Sequence, residues 1–196
     1  MAKTQSSMLP LGTQSPAFSL IDVVSGKIVR LSLDSKNIGS VIMFICNHCP
    51  YVKHVNPELV RIAHDYMPKG IRFVAINSND ITHYPDDAPD MMKKTALELG
   101  YPFPYLFDET QEVAMAYQAK CTPDFYVFDK NHALVYRGQL DNSRLGNQIK
   151  ITGKSIRDVL DGLLEGKAID TEHQQPSLGC SIKWTRENAE RQTIHR

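Results

Sequence analysis

The sequence predicts an α/β fold in which a mixed central sheet is covered by helices. Three observations carry this expectation. Residues 41–45 (VIMFI) and 71–76 (IRFVAI) are short, largely apolar runs rich in β-preferring types, the pattern of strands buried on both faces. Segments with helical apolar spacing follow both runs, so β and α alternate through the first half of the chain. Two further pairs of short runs read as hairpins, which makes the sheet mixed.

Taken in order, residues 1–10 are polar and small and read as a flexible N-terminal arm. A domain over residues 11–170 and a polar C-terminal tail over 171–196 follow. Residues 15–20 and the turn Ser25-Gly26-Lys27 lead to residues 28–33, whose alternation suits an edge strand. Asn37-Ile38-Gly39-Ser40 turns into the central strand. The first helix is kinked at Pro57 and presents Leu59, Ile62, Ala63 and Tyr66 on its apolar face. Pro68-Lys69-Gly70 ends it.

Asn77-Ser78-Asn79-Asp80 sits at the carboxyl end of the second buried strand, where open α/β sheets place their sites, and is a candidate rim as well as an ordinary loop. A proline- and aspartate-rich loop (82–89) precedes a helix (90–99) stopped by Gly100. A short strand (105–107) and a short helix (110–117) come next. Cys121-Thr122-Pro123-Asp124 leads into the strand 125–128, which pairs with 134–137 across a turn. Residues 155–164 form an amphipathic helix stopped by Gly166. In the tail only residues 177–184 (SLGCSIKW) are locally apolar, and they are expected to dock on the body through Trp184.

The chemistry is concentrated where the central strand stops, at Cys46-Asn47-His48-Cys49-Pro50. A strand that delivers a Cys-x-x-Cys pair to a helix N-terminus has the layout of a redox site. Its register follows from Pro50. If Cys46 opened the helix, Pro50 would fall near the second turn, where its missing N–H and its ring begin to interfere. If Cys49 caps the helix, Pro50 occupies the first helical position, where both are harmless. That placement gives Cys49 the exposed N–H groups and the positive end of the helix dipole, which favour a thiolate. Cys49 is therefore the expected nucleophile and Cys46 its partner. The alternative is a pair of inert buried cysteines.

Composition narrows the function. Lysine plus arginine (22) balance aspartate plus glutamate (22), which gives no basic footprint for nucleic acid or acidic lipid. No apolar run approaches the ~18 residues of a membrane span, and the first fifteen residues contain no apolar stretch of signal-peptide length. Four cysteines in 196 residues do not form a disulfide scaffold, and a cytoplasmic location is expected. No cofactor is implied. Cys46, Cys49, His48 and His54 are conceivable metal ligands, but structural zinc sites usually combine two separated pairs, so no metal is expected. His48 either lowers the neighbouring thiol pKa as an imidazolium or is an exposed loop residue. Lys53 and His54 read as solvated, and Cys121 reads as a core cysteine close enough to trap a sulfenate.

Three features resemble the thioredoxin-fold superfamily. Pro57 lies eight residues after Cys49, Thr122-Pro123 before a strand resembles the cis-proline that faces the active cysteine, and the spacing from Phe44 to Cys49 matches thioredoxin-like reductases. More narrowly, the chain resembles the peroxiredoxin-like family of redoxins, related to alkyl hydroperoxide reductase and thiol-specific antioxidant. The resemblance rests on CNHCPYVKH (46–54), AINSND (75–80), YPFPYLFDE (101–109), CTPDFYVFD (121–129), LVYRGQLD (134–141) and GCSIKW (179–184). It implies a thioredoxin-like three-layer sandwich with an N-terminal β-hairpin addition and a C-terminal tail.

The resemblance also implies a thiol–disulfide oxidoreductase in which Cys49 attacks and Cys46 resolves, while Pro123 and the Thr122 backbone hold the partner alongside. Its partners would be a thiol or disulfide protein or a small thiol reductant. A thiol-dependent peroxidase, with Cys46 or a C-terminal Cys180 resolving, is the second reading, and a non-catalytic or metal-bearing binding module the third. The departures are specific. Val52 stands at the usual downstream resolving position. Cys46 and Ile42 stand where true peroxiredoxins carry a threonine and a proline, and no arginine precedes the later strand.

Overall fold

The computed structural model describes residues 3–31 and 37–194. In chain order its strands and helices are β1 (Lys3–Gln5), β2 (Ser19–Asp22), β3 (Ile28–Arg30), β4 (Gly39–Phe44), α1 (Pro50–Tyr66), β5 (Ile71–Asn77), α2 (Pro89–Leu99), β6 (Tyr105–Phe107), α3 (Glu112–Ala116), β7 (Cys121–Thr122), β8 (Asp124–Asp129), β9 (Leu134–Gly138), α4 (Lys154–Glu165), β10 (Leu178–Ser181) and α5 (Arg186–Ile194). The main sheet has the order β3-β2-β6-β5-β4-β8-β9. Only β4–β5 and β5–β6 are parallel; the other neighbours are antiparallel, so the sheet is mixed as expected.

Every residue of β4 is buried, which is why its sequence is continuously apolar from Val41 onward. Alternate residues supply two cores. Val41, Met43 and Ile45 pack with Val52, Leu59 and Ile62 of α1, Met92 of α2 and Leu160 of α4, while Ile42 and Phe44 pack on the other face with Ala114 of α3, Tyr117 and Ile182. Each fully buried aliphatic side chain of this kind contributes about 1.5–3 kcal/mol. The register aligns Phe44 with both Ile76 and Asp124, so the carboxyl ends of β4 and β5 meet the start of β8 at one edge. The chemistry gathers at that edge.

Ser32 and Leu33 of the expected edge strand lie outside the described residues, and β3 covers Ile28–Arg30. Helix α1 continues through Pro57 from Pro50 to Tyr66. The expected loose arm carries β1, and the expected tail carries β10 and the α5 helix. β10 lies between β1 and β7 in a second, three-stranded sheet. Trp184 is partly buried against the second core, but the tail is fixed mainly by strand pairing and by buried Cys180 and Ile182. Short polar strands such as β1 leave little periodicity to read; their partners define them.

Candidate active site

Beyond β4 the chain stays on the sheet for one more bond, from Ile45 N–H to Ile76 O (3.0 Å). A bend at Asn47 and His48 then carries it to Cys49, the N-cap of α1, whose backbone is extended (φ −69°, ψ 120°). Pro50 takes the first helical position, and Lys53 N–H closes the first turn on Cys49 O (3.0 Å). The bend brings the two thiols together. Cys46 and Cys49 interact electrostatically, and Cys46 Sγ contacts Thr122 Oγ1 at 3.3 Å. Cys49 Sγ lies 3.1 Å from Thr122 O, to which it donates only as the thiol, and the Thr122–Pro123 peptide is cis. All four cysteines are buried and reduced.

The two thiols titrate in opposite directions. The Cys46 S–H bond is the main cause that lowers Cys49 to about 5, against the opposing effect of burial; Cys180, Thr122 and the Val52 backbone N–H add to it. Cys46 is pushed well above the ordinary thiol range, first by donating to Cys49 and then by burial. At neutral pH the pair is thus a Cys49 thiolate accepting a proton-bearing Cys46.

Asp87, in the loop just before α2, organises the turn between the cysteines. Its Oδ1 accepts from Asn47 N (2.8 Å) and His48 N (3.3 Å), and its Oδ2 accepts from His48 Nδ1 (2.6 Å) and Asn79 Nδ2 (2.7 Å). Burial opposes the charge on this carboxylate, but His48, Asn79 and the Asn47 N–H together hold it below the usual range. Asp87 in turn raises the His48 pKa, with a smaller contribution from Cys49. His48 also stacks on Tyr84 (5.3 Å, 15°), and its Nε2 is buried without a partner among the described residues. The available signal for Asp87 was the acidic pair Asp86-Asp87 after Tyr84-Pro85, too common in loops to single out.

The candidate rim divides. Asn77 binds Asp87 O (3.0 Å) and Asn79 binds its carboxylate, whereas Ser78 turns to Asp108 and Asp80 to His83. His54 pairs with Ser143 (2.9 Å), in an environment separate from the thiols. Cys121 is fully buried, and its Sγ contacts Pro123 O at 3.6 Å; burial raises its pKa. Cys180, in contrast, stands opposite Thr122 and interacts with Cys49. The Thr122 backbone, expected to hold a partner, is already paired with Cys180 of β10.

Cys46, His48 and Asp87 bring potential metal-ligand atoms within 4.8 Å of one another. Both Asp87 oxygens are committed to two donors each, however, so a cation would have to break the hydrogen bonds that shape the turn. Cavities of about 340 and 530 Å³ beside α4 and β2 have no cysteine in their lining. No helix is long and apolar enough to cross a membrane among the described residues.

A cysteine pair at a strand–helix junction facing a cis-proline defines a thioredoxin-fold thiol protein. The chain belongs to the AhpC/TSA family, whose model matches residues 11–137. As a member it is an oxidoreductase acting on thiols or peroxides. It is similar to an uncharacterised conserved protein from Geobacillus kaustophilus, with 62% identity, TM-score 0.92, and 95% of this chain and 98% of that chain covered. A hypothetical protein from Sinorhizobium meliloti shares 41% identity, with TM-score 0.90 and coverage of 93% and 99%. A putative thiol:disulfide interchange protein DsbE from Chlorobium tepidum, at 19% identity and TM-score 0.64, shares the fold over 80% of this chain and 99% of its own. A search of curated protein sequences found no match.

Proposed function

We propose that the protein is a thiol–disulfide oxidoreductase in which Cys49 is the nucleophile and Cys46 the resolving thiol. One observation carries the reading: at the strand–helix junction both thiols close on Thr122 before the cis-proline, Cys46 Sγ 3.3 Å from Thr122 Oγ1 and Cys49 Sγ 3.1 Å from Thr122 O. In this arrangement Cys49 is lowered to about 5 while Cys46 is raised. The Cys49 thiolate attacks one sulfur of a disulfide R–S–S–R, forming Cys49–S–S–R and expelling R–S⁻. Cys46 then attacks the Cys49 sulfur, its S–H proton passing to the departing sulfur, which closes a Cys46–Cys49 disulfide and releases R–SH. The first R–S⁻ takes up a proton from solvent, and His48, whose pKa its bond to Asp87 raises, is a nearby donor. An external dithiol restores the reduced pair.

Cys49 has no exposed surface in the resting state, so its reaction requires displacement of the Asn47-His48 turn or of β10. Peroxide as substrate finds less support. The threonine and proline positions of the peroxidases are Cys46 and Ile42, so the usual peroxide-orienting donors are not in place. Reduction of oxidised glutathione by the wild type and by Cys49→Ser tests the proposal: the variant is expected to lose all exchange. Full exchange in Cys49→Ser would overturn it.

A further inference from the structure

An exposed strand edge beside a reactive cysteine is a place for an extended partner chain to add as one more strand. In this molecule that place is taken by the chain itself. β10 runs antiparallel to β7 with Cys180 opposite Thr122 and Ser181 opposite Cys121, and Ile182 N–H continues the ladder to Lys120 O (3.0 Å). Its other side is held by β1, with Lys3 opposite Cys180 and Thr4 opposite Gly179. The approach is close enough to require glycine: a Cβ on Gly179 would lie 2.0 Å from Thr122 O. Thr122 O is also the atom that Cys49 Sγ contacts at 3.1 Å. The residue after Gly179 is Cys180, which stands opposite Thr122 in the ladder, so that both Cys180 and Cys49 adjoin Thr122 and the two thiols interact.

We propose that β10 is a built-in stand-in for a partner chain, and that Cys180 is a third catalytic thiol, forming an internal disulfide with Cys49. This rests on Cys49 being the nucleophile. With a small disulfide R–S–S–R as oxidant, Cys49 first forms Cys49–S–S–R and releases R–SH. The Cys180 sulfur attacks the Cys49 sulfur, its proton passes to the departing thiolate, and the products are Cys49–S–S–Cys180 and a second R–SH. Two thiols are oxidised and one disulfide is reduced to two thiols. Cys46 then attacks Cys49, which moves the disulfide to Cys46–Cys49 and returns Cys180 to the thiol. A partner protein reaches the Thr122 edge only when β10 has left it.

The test removes Cys46 and asks what Cys49 does next. Full-length Cys46→Ser is treated with limiting oxidised glutathione and mapped by non-reducing peptide analysis. The expected result is a Cys49–Cys180 disulfide and two equivalents of glutathione released per equivalent consumed. Addition of Gly179→Val, which drives β10 off Thr122, should cut that disulfide at least severalfold and leave glutathione on Cys49. Cys46→Ala supplies the same test if the serine variant does not fold. Glutathione retained on Cys49 with Cys180 still a thiol, in the presence of intact Gly179, would overturn the third-thiol proposal alone. Cys49 left unmodified while other thiols react would overturn the nucleophile assignment as well.

Discussion

Cys49 and Cys121 contact successive backbone carbonyls, those of Thr122 and Pro123, both lack exposed surface, and they differ completely in their chemistry. Cys49 contacts Thr122 O at 3.1 Å and receives donors from Cys46, Cys180, Thr122 and the Val52 N–H, which bring it to about 5. Cys121 contacts the acceptor Pro123 O at 3.6 Å, and burial pushes its pKa up. Equal burial thus gives a thiolate in one case and an inert thiol in the other; the supply of donors decides. The buried carboxylates repeat the lesson. Asp87 accepts four hydrogen bonds and stays below the usual range. Asp124, at the start of β8, is raised to about 8 by burial, has one side-chain oxygen without a partner among the described residues and accepts a Tyr126 hydroxyl at 3.0 Å on the other.

The largest break in this comparison is to exchange the two cysteines' fates by substitution. Cys49→Ser should abolish glutathione exchange, whereas Cys121→Ala should retain it and lose about 1 kcal/mol of stability, measured by urea unfolding. Equal loss of activity in both would show that Cys121 belongs to the chemistry.

A smaller effect is expected from Cys46→Ala, which removes the principal donor. The Cys49 pKa should rise from about 5 toward the ordinary thiol value, read from thiolate absorbance in a background lacking Cys121. An unchanged midpoint would transfer the activation to the helix N-terminus.

Asp87→Asn should lower the His48 pKa, seen by NMR, and weaken the turn by roughly 1–3 kcal/mol as donors lose their charged acceptor. A His48 titration unaffected by this change would refute the pairing.

The smallest expected effect concerns Asp124, whose folded pKa is raised above its unfolded value. The folded state binds one more proton than the unfolded state between about pH 4 and about pH 8, so this contribution is full below that window and is lost as pH rises through it. Asp124→Asn should flatten the stability profile in that window. A profile with the same slope in both proteins would exclude Asp124 as its source.

Much of this arrangement was legible in the chain. The unbroken apolar runs gave the central strands because both faces of those strands are covered, and Pro50 set the register of Cys49 because a proline is tolerated only in the first helical turn. Thr122-Pro123 marked the facing strand. Two parts of the site were not legible. Asp87 comes from a loop forty residues past the cysteine turn and acts through backbone and side-chain hydrogen bonds that no spacing rule encodes. Cys180 was visible as a cysteine in a short apolar patch, but its arrival at Cys49 depends on a four-residue strand held between β1 and β7. Pairing between segments more than fifty residues apart leaves no local periodicity.

The most direct test of the account is the pH dependence of Cys49 alkylation, followed by peptide mapping with Cys121 as the internal reference. The account predicts a midpoint near 5 for Cys49, with Cys121 unmodified throughout the native range. A Cys49 midpoint near the ordinary thiol value of about 8.5, or labelling of Cys121 at the same rate, would contradict it.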